Sequence, residues 1–209
     1  MKNKLIIFDL DGVLINSLQN MKYALSNTEK KMKVTMKFEI YKKYLGLPFE
    51  NIMKKMKIKK NVKEIKKNYE YFSNKKLKNV KINKEFLKEL SLLKKNYKLA
   101  VFTSKNKSRT HKILNQYKYF DCIISSDDTK KGKPHPEGLI KIISKLKIKK
   151  KNCIFVGDSK YDYLASKSAR IKYLHAMWGY EKKIDCVNKI IKIEKFRDIS
   201  KIANKFQWI

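Results

Sequence analysis

Cysteine, proline and glycine are scarce in this chain, with three, three and six among 209 residues. The cysteines, Cys122, Cys153 and Cys186, are odd in number and far apart, which excludes a disulfide framework and a Cys-x-x-Cys metal pair. They read as small, packed apolar residues in a reducing cytoplasm. No apolar run is long enough to span a membrane. Met1-Lys2-Asn3-Lys4 passes straight into a strand-like segment, without the apolar region and small-residue cleavage site of a secretory signal. Internal repeats and low-complexity linkers are missing as well. The length therefore fits one sizeable core, or a core with a small insert.

Acidic residues are few, 19 against 52 basic ones, for a formal net charge of +33. Such a charge can mark a nucleic-acid binder. Only Arg109, Arg170 and Arg197 are arginine, however, and the planar arginine fork is what phosphate and base recognition exploits. The lysines are spread through nearly every segment, beside abundant Ile, Asn, Tyr and Phe. That pattern favours compositional drift in an AT-rich genome over a dedicated nucleic-acid surface. The positive field can still draw in anionic substrates.

What the chain does contain is a series of short apolar runs, each followed by a helical pattern. The runs cover 4–9, 97–103, 122–125, 153–157 and 171–175, and the helices 106–118, 136–146 and 161–169. Strands alternating with helices imply βαβ units and a parallel sheet, a Rossmann-like α/β core. The segment 17–81 breaks the rhythm. It shows no strand pattern, and Met21, Leu25, Tyr41, Ile52, Ile65 and Tyr69 recur at helical spacing. It reads as a helical insert, a cap, between core segments 1–16 and 82–209. Asn83 suits the N-cap of the next core helix, and the stretch after Asp185 reads as an edge strand and then a helix near 196–206.

Polar chemistry collects where the strands end. Asp9-Leu10-Asp11-Gly12 closes the first run, Thr103-Ser104 the second, Lys133 in Gly132-Lys133-Pro134-His135-Pro136 follows the third, and Gly157-Asp158-Ser159 with Asp162 follows the fourth. Open parallel sheets place their chemistry at the carboxyl ends of strands, and carboxylates crowded there need a cation. With these motifs in this order, the chain resembles the haloacid-dehalogenase-like hydrolase superfamily. Trp178-Gly179-Tyr180 and the helical insert are similar to its phosphoglycolate-phosphatase-like branch. Val13, Asn16, Ser104 and Arg170 stand where that family often has Thr, Asp, Asn and Gly.

The resemblance implies a Mg²⁺-dependent phosphatase acting on a small phosphate monoester. A carboxylate can attack phosphorus to form an aspartyl-phosphate, and a second acid can protonate the leaving oxygen and then deprotonate water. Asp9 is expected as nucleophile and Asp11 as general acid and base. Thr103, Ser104 and Lys133 are expected to bind the phosphoryl group. The metal is expected on Asp9, Asp158 and the backbone carbonyl of Asp11. Asp162 is expected behind them, orienting Lys133 or a metal-bound water, with simple helix capping as the alternative. His111, His135 and His175 are not expected as ligands, Asp127 and Asp128 read as turn acids, and Trp178 and Tyr180 as packing beside the sheet. Phosphoryl transfer of the β-phosphoglucomutase kind is disfavoured, because the His and Arg usual in those caps are missing from 16–82. A nucleic-acid-binding protein or polynucleotide phosphatase on the same fold remains the other alternative. The partner is then a small phosphorylated metabolite and the compartment the cytoplasm.

Overall fold

Strand β1 (Leu5–Phe8) is the apolar run that opens the chain, and its side chains alternate between two faces. The computed structural model describes residues 2–184 and 190–205. Five further strands join β1 there: β2 (Lys98–Phe102), β3 (Cys122–Ile124), β4 (Cys153–Gly157), β5 (Lys172–Ala176) and β6 (Ile191–Ile193). They form one sheet in the order β3-β2-β1-β4-β5-β6, with each neighbouring pair parallel. β1 and β4 are buried along their whole length, which is why their sequences run apolar without alternation.

The helices, in chain order, are α1 (Leu18–Met32), α2 (Phe38–Lys42), α3 (Phe49–Lys55), α4 (Val62–Lys75), α5 (Lys84–Asn96), α6 (Lys107–Leu114), α7 (Glu137–Leu146), α8 (Lys160–Ala169) and α9 (Asp198–Lys205). Leu5 and Ile7 pack with Leu139 and Ile142 of α7 and Ala165 of α8 on one face of the sheet. Ile6 and Phe8 pack with Leu90 of α5, Ile113 of α6 and Ile199 of α9 on the other. Cys122 and Cys153 are free thiols inside these layers, and burial pushes the Cys153 thiol up to about 12. The expectation for Cys186 lies outside the described residues. No helix of the described residues is long and apolar enough to cross a membrane.

Strand bounds fall within a residue or so of the sequence expectation. The largest difference is α6, expected over 106–118 but ending at Leu114. Gln116 donates to the Ile113 carbonyl at 3.3 Å, and Tyr117 and Tyr119 turn onto the core, so burial of the two rings ends the helix. Arg170, standing where glycine is common, takes the left-handed conformation at the end of α8 with φ +58°.

Between β1 and α5 the chain builds α1 to α4 around a separate apolar cluster that includes Met21, Leu25, Tyr41, Ile52, Ile65 and Tyr69. Inside it, the Asn20 amide donates to the Ser73 carbonyl at 2.9 Å and the Ser73 hydroxyl donates to Asn20 at 2.6 Å, tying α1 to α4. The two chain crossings into this unit lie side by side. Ile15 pairs with Ile82 in an antiparallel bridge, and Asn83 N–H donates to the Leu14 carbonyl at 3.2 Å. From the sheet side, Tyr161 of α8 enters the same apolar cluster.

Neighbouring aliphatic residues on α7 test the layer assignment. Leu139 is fully buried and Ile140 is 40% exposed. In urea or thermal unfolding, Leu139→Ala should cost roughly 2–5 kcal/mol, and Ile140→Ala under about 1 kcal/mol. Equal losses would contradict the assignment of faces.

Candidate active site

The carboxyl ends of β1, β2 and β4 converge on one cleft. Asp9 continues the sheet beyond β1, its N–H donating to the Val156 carbonyl at 2.8 Å, which fixes its side chain at the rim and leaves it 4% exposed. Gly12 then turns the chain with φ +92°, and a Cβ there would lie 2.0 Å from Asp158 Oδ2. The lack of a side chain at Gly12 thus lets the loop after β1 close onto the loop after β4. Asp158 is held by the Tyr180 N–H, which donates to its Oδ2 at 2.6 Å.

Lys133 is 1% exposed and reaches the same point from the segment before α7. Its Nζ lies 2.5 Å from Asp9 Oδ1 and 2.7 Å from Asp162 Oδ1, above the rings of Phe102 and Phe155 at 5.0 and 5.3 Å. Burial alone would lower the lysine pKa; Asp162 and Asp9 outweigh it and raise it. Asp162 makes both a capping contact and a contact with Lys133. Its Oδ2 accepts from the Ser159 N–H at 3.1 Å and from the Ser159 hydroxyl at 2.6 Å, capping α8, while Oδ1 faces Lys133.

Asp9, Asp158 and Asp162 offer oxygens within 4.8 Å of one another, all buried. Burial pushes the Asp9 carboxyl up to about 7 against the pull of Lys133, with Asp162 and Asp11 adding to the rise. Asp158 is also raised, by burial first and then by Asp9 and Asp162. One lysine cannot neutralise three such carboxylates. A divalent cation can, and this all-oxygen donor set suits Mg²⁺, which takes a few carboxylates and keeps waters. The side-chain trio differs from the expected set by containing Asp162; the Asp11 carboxylate points to different partners.

The Asp11 carboxylate accepts from the Ser17 hydroxyl and pairs with Lys105 Nζ at 3.0 Å. Lys105 is 5% exposed; burial lowers its pKa and Asp11 works against that. Ser17 N–H in turn donates to the Tyr180 hydroxyl at 2.8 Å. Asp11 is therefore oriented by a lysine and a serine that the motif reading passed over. Thr103 is buried at the cleft, its hydroxyl accepting from Lys105 N–H at 3.1 Å. Ser104 lines the cleft too, but its hydroxyl donates to the Gly46 carbonyl of the helical unit at 2.7 Å. In this structure its hydrogen is spent joining the two parts of the molecule.

His175 is buried between the Tyr173 hydroxyl and the Glu181 carbonyl, which occupy its two ring nitrogens, and burial lowers its pKa. Asp128 caps its own turn by accepting from Ser125 N–H at 2.9 Å, as a turn acid should. Trp178 packs against Phe86 and Phe196, as expected. Tyr180 does more than pack: it anchors both Asp158 and Ser17 and lines the cleft. The cleft encloses about 500 Å³, with Asp9, Asp11 and Asp158 at the sheet end and Tyr41, Phe49 and Tyr69 of the helical unit at the other.

A parallel α/β sheet that crowds carboxylates and buried lysines at its carboxyl rim, beneath an inserted helical unit, defines a class of hydrolases. The chain belongs to the haloacid dehalogenase-like hydrolase family, whose sequence model matches residues 6–176. It is 31% identical over 188 residues to the phosphoglycolate phosphatase of Aquifex aeolicus, covering 86% of this chain and 87% of that one. It is 27% identical over 191 residues to the pyrophosphatase PpaX of Bacillus mycoides, covering 85% of each. A haloacid dehalogenase-like hydrolase from Streptococcus pneumoniae superposes with a TM-score of 0.82 at 21% identity, over 96% of this chain and 98% of that one, which shows the shared fold.

The acid cluster gives a test that needs no substrate. At ~100-fold excess over its Kd, Mg²⁺ should raise the melting temperature by roughly 5–8 °C. Asp158→Asn should remove most of that shift. A full shift in the variant, or none in the parent protein, would contradict cation binding at this cluster.

Proposed function

We propose that this chain is a Mg²⁺-dependent phosphatase that hydrolyses a small phosphate ester or anhydride through an aspartyl-phosphate on Asp9. The observation that carries this reading is the buried Asp9 carboxylate at the cleft, held by Lys133, with a separately oriented acid, Asp11, two residues on. An Asp9 oxygen attacks phosphorus as the bond to the leaving oxygen breaks, and Asp11 donates a proton to that oxygen. Asp11 then takes a proton from water, whose oxygen attacks phosphorus, releasing inorganic phosphate and restoring Asp9. Lys133 and the Thr103 hydroxyl counter the charge that gathers on the phosphoryl oxygens in both steps. Bound Mg²⁺ supplies further charge neutralisation at the Asp9, Asp158 and Asp162 side.

The helical unit, residues 17–81, acts as a cap in this reading. Gly46, with φ +97°, carries the loop whose carbonyl takes the Ser104 hydrogen bond. Breaking that bond and hinging at the paired crossings near Ile15 and Ile82 would open the cleft, and remaking it would exclude water. The names of the relatives, phosphoglycolate phosphatase and pyrophosphatase, support a small phosphorylated substrate. Transfer to a sugar is not favoured, since the cap offers no His or Arg to position one. The free, buried Cys122 and Cys153 fit a reducing cytoplasm.

Asp9→Asn is the direct check. With Mg²⁺ and p-nitrophenyl phosphate, kcat should fall by roughly 10³-fold or more, while the circular dichroism spectrum stays close to the parent's. Substantial turnover by a folded Asp9→Asn protein would overturn the nucleophile assignment.

A further inference from the structure

Among the described residues, three buried cations line or adjoin the cleft, and one of them lacks an acid. Lys133 pairs with Asp9 and Asp162, and Lys105 pairs with Asp11. Arg109, in the first turn of α6, is 6% exposed and appears in none of the ion pairs among the described residues. Its Nε donates to Asn106 Oδ1 at 3.3 Å, and that oxygen also accepts the Arg109 N–H at 3.0 Å. Its Nη1 is buried with no hydrogen-bond partner. A buried guanidinium N–H without an acceptor is costly and rare.

The guanidinium lies across the cleft against the helical unit, its Cζ 5.4 Å from the centre of the Tyr69 ring. Burial raises the pKa of both Tyr41 and Tyr69, whose phenols hydrogen-bond to each other, and the charge of Arg109, which also hydrogen-bonds to Tyr69, opposes the rise in each. It also adds to the lowering of Lys105, its neighbour of like charge. Lys105 is paired with Asp11, so Arg109 is the buried cation on this side of the cleft that has no acid of its own among the described residues. The side is defined chemically: Asp11 protonates the leaving oxygen, so the Asp11–Lys105–Arg109 flank is where the leaving group sits. The planar fork matches a carboxylate or a phosphoryl group, either of which supplies the missing acceptor.

We propose that Arg109 binds a second anionic group on the substrate, a carboxylate or a second phosphoryl carried by the leaving group, and so selects doubly anionic phosphates. This rests on the phosphatase reading above. The enclosed volume of about 500 Å³ suits a small molecule of that kind. Tyr41 and Tyr69 complete the pocket from the helical unit, so the selecting contact is assembled only when that unit is docked as here.

The test compares 2-phosphoglycolate, pyrophosphate and p-nitrophenyl phosphate with Mg²⁺ for the parent protein, Arg109→Gln and Arg109→Lys. The ratio of kcat/KM for the better doubly anionic substrate to that for p-nitrophenyl phosphate should fall about 10–100-fold in Arg109→Gln, chiefly through KM. Arg109→Lys, which keeps the charge and loses the fork, should fall in between and serves as the test if Arg109→Gln is poorly folded. Preference for phosphoglycolate identifies the second anion as a carboxylate, and preference for pyrophosphate as a phosphoryl group. A ratio unchanged within about threefold in both variants overturns the proposal. A parent protein that hydrolyses p-nitrophenyl phosphate but neither doubly anionic substrate also overturns it and leaves the phosphatase reading standing. Hydrolysis of none of the three removes both.

Discussion

The constraint on which the rest of the structure depends is the burial of Lys133 between two carboxylates. A fully buried ammonium is stable only when paired and hydrogen-bonded. Here the pairing joins three remote parts of the chain: Asp9 after β1, Lys133 before α7 and Asp162 in the first turn of α8. The rings of Phe102 and Phe155 form the floor beneath the ammonium and come from β2 and β4. The two strands beside β1 are thus held in place by the core and, at their ends, by one cation. Asp158 stands outside this arrangement with no lysine of its own among the described residues, and the surplus of negative charge it creates is what suits the cluster to a cation in the proposed reading. Stability has been given up at this rim for function: burial first, and then the neighbouring carboxylates, raise the pKa of Asp9 and of Asp158.

A second ion pair, Lys105 with Asp11, lies beside the first and shares no side chain with it. Asp9 and Asp11 stand two residues apart, yet the chain turns between β1 and Gly12 and their carboxylates meet different partners, Lys133 for Asp9 and Lys105 with Ser17 for Asp11. That separation gives two carboxylates different environments and allows two roles. The helical unit meets the cleft through a serine hydroxyl and a few aromatic rings, a small contact compared with the packed layers behind the sheet. In the proposed reading such a contact opens and closes without disturbing the carboxylates.

Much of this was legible in the residues. Central parallel strands are buried on both faces, so β1 and β4 stand out as unbroken apolar runs, and a charged residue just past such a run is conspicuous. That made Asp9, Thr103 and Asp158 readable, and Lys133 readable from its place in the order. Other features were not legible, for definite reasons. Lys105 carries no signal in a chain this rich in lysine. Ser17 and Tyr180 meet across 163 residues, and nothing local in either segment announces the contact. The Ser104 hydroxyl was assigned to phosphate because its place beside Thr103 says nothing of the Gly46 carbonyl opposite. Arg109 was the readable signal left unused: one of three arginines, six residues past the second motif. The end of α6 was missed because two tyrosines stop it by turning onto the core, a tertiary effect that helical periodicity does not register.

The central claim, a covalent phosphoryl group on Asp9, can be tested directly by chemical trapping. In Asp11→Asn, p-nitrophenyl phosphate should still phosphorylate the nucleophile, because its leaving group needs little protonation, whereas the acyl phosphate should persist without a base to activate water. Rapid quenching, borohydride reduction and peptide mass spectrometry should then find homoserine at position 9. Reduction at another carboxylate, or phosphate release with no reducible acyl phosphate at any time point, would contradict the account.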